Sequence, residues 1–542
     1  MRLLIVGVLA AASCGAAATR PAAYDITAFG AAADGKSLCT AAIQRAIDQC
    51  TSDGGGTVVV PPGTFLTGTI NLKSNVTLHL PRGSTLLGSA TRENYPPIPL
   101  RSVTTPAGDN PADFAIRART SGGLALVAGN EVENVSITGE GTIDGNGHSA
   151  TFLHGDNAPG RPKILLFQRC RNVSVSGITL KNSASWVQHY LGCDNVHVGG
   201  LTVYSHANWN NDGLDIESTN VAVSDCLIDS DDDAICFKSG RGYPCENVTV
   251  SNCVVGSNCN AIKMGTASAG SFKNITINNC VVRGASEDNF RKWNSVISGI
   301  ALEVVDGGEM DQVAISNIAM TRVQTPIFIK LGNRMQGGAD KGRAGTLRNV
   351  TIGNVVATND SLMSSSITGF PGHYVENVTI HDVTLTGPGG GTSEQAAASI
   401  KENEKAYPEN RMFGKFLPAY GLYARHVRGL TMRNVELKLA QADRRPAVVM
   451  EDVHELDASG IRAAVPEDVN APVLRLINCT DALIHSNMAR EGVKVWLRVE
   501  GAQTAGIKLA GNDLGRAQVP IQLGEGVSPD AARIGSGDGA RH

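Results

Sequence analysis

One short phrase recurs along this chain, and its spacing limits the possible folds more than any other feature. It reads NVSITG from Asn134, NVSVSG from Asn172, NVHVGG from Asn195, NVAVSD from Asn220, NVTVSN from Asn247 and NITINN from Asn274. It continues as QVAISN from Gln312, NVTIGN from Asn349 and NVTIHD from Asn377. Each copy alternates apolar and polar residues behind a polar turn residue, the pattern of a half-buried strand. From Asn172 the intervals are 23, 25, 27, 27, 38, 37 and 28 residues. Strands that return at a period in the twenties, with no helix between them, form a stacked solenoid. Helical repeats would need a 3.6 period, and propeller blades run to about 40 residues with four strands each. The expected fold class is all-β, a parallel β-helix built as one domain. That overrides the prior from length alone, which at about 150 residues per domain gives three or four.

Departures from the period carry information. The stretch from Leu38 to Asp53 has helical spacing and is expected to cap the open N-terminal end. Gly429 follows Asn377 by 52 residues, a step that takes in GPGGGT from Gly387 and is longer than one coil can hold. The excess must leave the stack as a loop, either a wall of a binding site or plain surface. Residues 24–445 are read as the β-helix domain. Residues 446–542 are read as its continuation, because VLRLINC from Val473 still alternates.

The charge balance, 47 basic against 51 acidic residues, gives −4 with no block of either sign. That argues against a nucleic-acid partner, which needs a basic patch. Residues 1–18 read as an export signal: Met1-Arg2, an apolar run from Leu3 to Ala12, then small residues at Ala16 to Ala18. The run is too short to span a bilayer. Ala11 to Cys14 also resembles a lipoprotein cleavage box, so the expected location is secreted or periplasmic, with a lipid anchor at Cys14 as the alternative. A monomer is expected, since a long solenoid with both ends capped needs no partner subunit. Of the twelve cysteines, Cys39 and Cys50 lie about 16 Å apart along a helix, too far to bridge each other. Cys226, Cys253 and Cys280 recur at intervals of 27 and read as a stack of buried thiols rather than bridges.

Chemistry follows from the coil geometry. The densest acidic run is IDSDDDAICFKSG, from Ile228, and one coil earlier stands NNDGLDIES, from Asn210. Asp212 precedes Asp232 by 20 residues and Asp233 by 21, close to one turn, and neighbouring strands lie about 4.8 Å apart. Asp212, Asp232 and Asp233 are therefore expected to form one carboxylate cluster. At 5 Å and an effective dielectric of 20, each pair repels by roughly 3 kcal/mol, more than two pKa units. One member should hold a proton near neutral pH while another stays ionised, the acid-plus-base pairing that glycoside hydrolysis requires. Asp229, Asp231 and Asp233 have the spacing that opens a calcium loop, but Ala234 and Gly240 stand where its glycine and glutamate belong. A looser calcium site and a solvated acidic turn remain as alternatives. His189 and His206 lack zinc-ligand spacing, so no metal and no cofactor are assigned.

At this point the sequence resembles the polygalacturonase family, glycoside hydrolase family 28. The resemblance runs from about residue 24 to 385, through ITAFGAAADGKS, AAIQRAID, GGGTVVVPPGTFLTG, GEGTIDGNG and SASWVQH. The family's Asn-Thr-Asp motif stands here as Asn210-Asn211-Asp212, and its Asp-Asp motif as Asp232-Asp233. The resemblance implies a right-handed parallel β-helix that hydrolyses α-linked pectic uronans with inversion. It implies Asp232 as general acid and Asp212 and Asp233 as the groups that activate water. Two motifs depart from the family. Asn260 stands where the Gly-His-Gly histidine belongs, and Ala301, Leu302 and Glu303 stand where Arg-Ile-Lys is expected. Glu303 cannot pair with a substrate carboxylate, and desolvating a uronate without a cation is costly. Either another cation serves or the sugar there is not a uronate, and rhamnogalacturonan hydrolases show the same kind of departure. Lys263, one coil after Lys238, is a candidate cation, as are Lys330 and Arg334, with Asn333 beside them, one coil after Glu303. Arg334 is suited to clamp a carboxylate bidentately. Trp186, 24 residues before Asn210, is either a sugar-stacking platform below the cluster or a core residue.

The function expected is an exported glycosidase acting on a pectic polysaccharide of the polygalacturonan or rhamnogalacturonan type. Two rivals stand beside it: a calcium-dependent polysaccharide lyase on the same solenoid, and a non-catalytic glycan-binding solenoid.

Overall fold

The computed structural model describes residues 23–98, 123–287, 289–336, 343–468 and 470–535. The apolar run from Leu3 to Ala12, read as an export signal, and Cys14 lie outside these residues. Strands run from Tyr24–Asp25 to Ala532–Ile534, and every strand-to-strand ladder is parallel, each strand pairing with one roughly a coil further on. One row can be followed residue by residue: His189 opposite Asp215, then Cys236, Lys263, Ala301 and Phe328. This is a parallel β-helix, with strands continuing without a break in type through residues 446–535.

The recurring asparagine has a physical reason. Asn134, Asn172, Asn195, Asn220, Asn247 and Asn274 all adopt φ between 52 and 57°, a left-handed bend that asparagine tolerates better than most residues. At the bend the amides link successive coils: Asn172 donates to Asn134 at 2.8 Å, Asn195 to Asn172 at 2.8 Å and Asn274 to Asn247 at 3.0 Å, while Asn220 reaches Asp194 at 2.7 Å. A second ladder runs through Asn252, Asn279, Asn317 and Asn354. The repeat therefore encodes two corners of the coil.

Inward-facing residues of successive coils form one continuous apolar core. Cys226, Cys253 and Cys280 are buried in it as unbridged thiols, each donating to the carbonyl two residues earlier. Helix α1, Thr40–Ser52, buries Ala42, Ile43, Ala46, Ile47 and Cys50 against the first coil and closes that end. Among the described residues no helix is long and apolar enough to cross a membrane.

Candidate active site

Three consecutive turns place the acidic residues. Asp212, Asp233 and Asn260 each stand just before or at the start of a strand: Leu214–Ser224, Ile235–Ser239 and Asn260–Ser268. Backbone bonds stack the three turns, from Gly213 N–H to Asp233 O at 2.8 Å and from Ala234 N–H to Asn260 O at 2.9 Å. Buried Asn211 fixes the first turn. It donates to Ser183 O and Ser185 O at 3.0 and 2.9 Å and accepts from Ser205 Oγ and Ala207 N at 2.9 and 3.1 Å. Gly213 follows because a Cβ there would lie 2.6 Å from Ile228 Cγ2 and 2.7 Å from Ala234 O.

Six ionisable groups meet at this corner: four aspartates and two lysines. Lys238 Nζ bridges Asp212 Oδ2 at 3.2 Å and Asp215 Oδ1 at 2.8 Å. Lys263 Nζ lies 3.0 Å from Asp233 Oδ2, and Asn260 gives Asp233 Oδ1 both its backbone N–H, at 3.1 Å, and its side-chain amide, at 2.8 Å. Burial opposes ionisation of Asp233, but Lys263, Lys238 and Asn260 together hold it well below the usual carboxylate range. Asp232 behaves oppositely. Burial, then Asp212 and Asp233, push it up to about 7 against the pull of Arg291. Burial and Asp215 push Asp212 up to about 8, and burial lifts Asp215 to about 6 against Lys238. Adjacent carboxylates therefore differ in protonation near neutral pH, as their crowding requires.

Behind Asp232 lies a second charged layer. Arg291 pairs with Asp231 at 3.0 Å and with Asp232 at 3.3 Å, while its guanidinium sits 4.5 Å over Trp209 and 5.7 Å from the Phe290 ring. His206 lies 3.1 Å from Asp229 and 3.5 Å from Asp231. Burial works against its charge, but the two carboxylates raise it to about 9. On the far side, the insertion after Gly387 returns to the corner. Tyr407 Oη meets Thr266 Oγ1 at 3.1 Å and Lys263 Nζ at 3.4 Å, and buried Asn410 donates to Ile297 O and Thr325 Oγ1 at 3.0 Å. The insertion is a wall of this site.

Of the candidate residues, the structure brings Asp212, Asp232, Asp233, Asn260 and Lys263 together. Others fall elsewhere. Asn210 faces an outer loop, accepting from Asn157 N and Arg161 Nη2 at 2.8 and 2.7 Å and donating to Asp156 at 2.9 Å. Glu303 is fully buried with both carboxylate oxygens unpartnered, and burial raises it to about 8, so it is neutral and out of a substrate's reach. Arg334 is committed to Asp306 and to Thr266 O, and Lys330 is buried, donating to Gly369 O at 2.9 Å. Trp186 is half-buried, its ring engaged by the ammonium groups of Lys163 at 4.7 Å and Lys238 at 4.5 Å. Lys238 and Lys263, one coil apart in sequence, do not stand opposite each other. Lys263 stands opposite Cys236, so Lys238 leans back to Asp212 and Asp215 while Lys263 serves Asp233.

Arg291 and Tyr407 escaped the sequence reading, because both lie in irregular segments where no period marks a position. Ligand atoms of Asp212, Asp215 and Cys236, and of Asp232, Asp233 and Cys259, gather within 4.8 Å. Lys238 and Lys263 already supply the positive charge there, and a thiol in each set suits calcium poorly.

Comparisons with known proteins agree with this architecture. The model of the family described as glycosyl hydrolases family 28 matches residues 50–406, a span that holds all four aspartates and Arg291. A Vitis vinifera protein named "Probable polygalacturonase" is 34% identical over 221 residues, 39% of this chain and 43% of the relative. The exo-poly-alpha-D-galacturonosidase of Dickeya chrysanthemi is 28% identical over 266 residues, 41% of this chain and 43% of the relative. The chain thus spans less than half the length of these curated relatives. Among solved structures, the hyperthermoactive exopolygalacturonase of Thermotoga maritima superposes with a TM-score of 0.59 at 24% identity, covering 77% of this chain and 91% of that one. The family 28 exopolygalacturonase of Yersinia enterocolitica gives 0.59 at 20% identity, covering 82% and 79%. These likenesses establish the fold as a right-handed parallel β-helix.

Proposed function

The chain belongs to glycosyl hydrolase family 28, and on that premise we propose that it is an exported enzyme that hydrolyses a pectic polysaccharide, of the polygalacturonan or rhamnogalacturonan type, with inversion. In this reading Asp232 is the general acid. Its proton, retained up to about pH 7, passes to the oxygen of the leaving sugar as the glycosidic bond breaks. Asp233 stays ionised and draws a proton from the water that attacks the anomeric carbon from the opposite face, while Asp212, raised to about 8 and neutral at that pH, helps to position the water. Asn260 and Lys263 hold Asp233 in that state and in that place. The proton lost by water and the proton given to the leaving group balance over a cycle.

One observation carries the reading: two neighbouring aspartates, Asp232 and Asp233, are driven to opposite protonation by different partners. A structural acidic turn has no use for that difference. The test is proton NMR of the first product formed from polygalacturonan. Inversion predicts that the new reducing end appears first as the β anomer. An α anomer at first appearance would contradict the mechanism, and an unsaturated product would replace it with elimination.

A further inference from the structure

A uronan carries one negative charge per sugar, and this site meets it with Asp232 partly exposed and with Asp212, Asp215, Asp233 and Asp231 buried close behind. Binding without a cation able to reach the substrate would be repulsive. The basic groups around the corner are mostly spent. Lys263 has 3% of its side chain exposed and is held by Asp233; Lys238 has 12% exposed and is shared by two aspartates. Arg334 is locked to Asp306, and Arg161 and Lys330 are fully buried.

Arg291 differs in three ways. Its side chain is 20% exposed, the most among these cations. Its contact with Asp232, through Nη2 at 3.3 Å, is long, and Nη1 has no hydrogen bond among the described residues. Its other anchors do not use that edge: Nε faces Asp231, and the plane rests near Trp209 and Phe290. Asp231 also keeps independent partners, Asn258 Nδ2 at 2.6 Å and His206 Nδ1 at 3.5 Å.

We infer that Arg291 is the specificity-determining cation of this site, its Nη1–Nη2 edge taking the carboxylate of a uronate in the manner of an arginine fork. The inference rests on the hydrolase reading above. It also links recognition to chemistry. When Nη2 turns from Asp232 to the substrate, Asp232 loses its nearest cation. Asp212, Asp233 and Cys259 then face it from the adjoining turns, with only the more distant Lys263 and Arg161 to oppose them. Its hold on the acid proton tightens when a uronate, and not a neutral sugar, is bound.

The experiment compares wild type with Arg291→Ala and Arg291→Lys on polygalacturonan and on its fully methyl-esterified form, measuring kcat and KM by reducing-end release. Wild type is expected to prefer the free acid. In Arg291→Ala that preference should shrink by roughly 10–100-fold, mostly through KM for the free acid, with Arg291→Lys recovering part of it. Equal losses on both polymers, with the preference intact, would overturn the inference and leave Arg291 as a support for Asp232. If wild type cleaves neither polymer, the polygalacturonan form of the hydrolase reading fails by itself. Calorimetric binding of trigalacturonate and its methyl ester to the same proteins then decides the inference. An affinity loss confined to the free acid in Arg291→Ala supports it, and unchanged affinity refutes it. Should Arg291→Ala not fold, the same comparisons with Arg291→Lys decide.

Discussion

Lys263 Nζ lies 3.0 Å from Asp233 Oδ2, with 3% and 5% of the two side chains exposed. The pair closes one coil onto the next, since the two residues come from successive turns of the solenoid. A buried pair of this kind adds little over an apolar replacement of both partners, but losing one partner strands a charge. Lys263→Met should therefore destabilise the protein by about 3–5 kcal/mol, measured by urea unfolding at pH 7. The loss should be smaller at pH 3. The folded pKa of Asp233 is depressed, so its stabilisation is present above the unfolded value near 4 and fades as pH falls toward the folded one. An equal loss at both pH values would detach the effect from the Asp233 charge.

The pH profile of activity follows from Asp232. As the acid it must be protonated, and it is raised to about 7, so kcat should fall tenfold per pH unit above about 7. Asp233, held ionised, should set no acidic limb in the range where the protein stays folded. Initial rates between pH 4 and 9 test this, and a profile still rising above pH 8 would assign the acid elsewhere.

Glu303 offers a separate test, because it is buried, unpartnered and raised to about 8. A raised acid stabilises fully below its unfolded value near 4.3, and that contribution is lost as pH climbs toward 8. Glu303→Gln keeps the shape without the proton equilibrium. Activity should stay within about twofold of wild type, while the thermal midpoint should decline less between pH 5 and 8. A large loss of activity at pH 6 would give Glu303 a role in the site that its burial denies.

The corner asparagines should behave as a ladder. Asn247 sits at φ 57°, accepts from Asn274 and donates to Asn220 at 3.0 Å each. Asn247→Ala removes both bonds and strains the bend, for an expected cost of about 1–2 kcal/mol. Asn247→Gly, which relieves the strain, should cost less. Matched thermal melts separate the two contributions.

What could be read from the sequence was what the period controls. The asparagine corners, the alternating strands and the one-coil spacing of Asp212 to Asp233 are all properties of a repeating backbone, so they appear as repeating letters. Glu303 illustrates the limit. Its strand, Val296–Val304, is buried at every position because the insertion covers its outer face, so alternation no longer separates inside from outside. Arg291 and Tyr407 reach the site from segments without register, and only the folded chain shows where they return. Lys238 and Lys263 were visible as basic residues one coil apart, but the 21-residue step from Asp215 to Cys236 sets which aspartate each one meets.

The central claim is that Asp232 donates the proton in a carboxylate hydrolase, and its most direct test is reducing-end release from polygalacturonan by wild type and by Asp232→Asn, each with and without a chelator. The account predicts chelator-insensitive release by wild type and a loss of roughly 10²–10⁴-fold in Asp232→Asn, with the fold unchanged. Release that survives the substitution, or that vanishes with chelator, would contradict it.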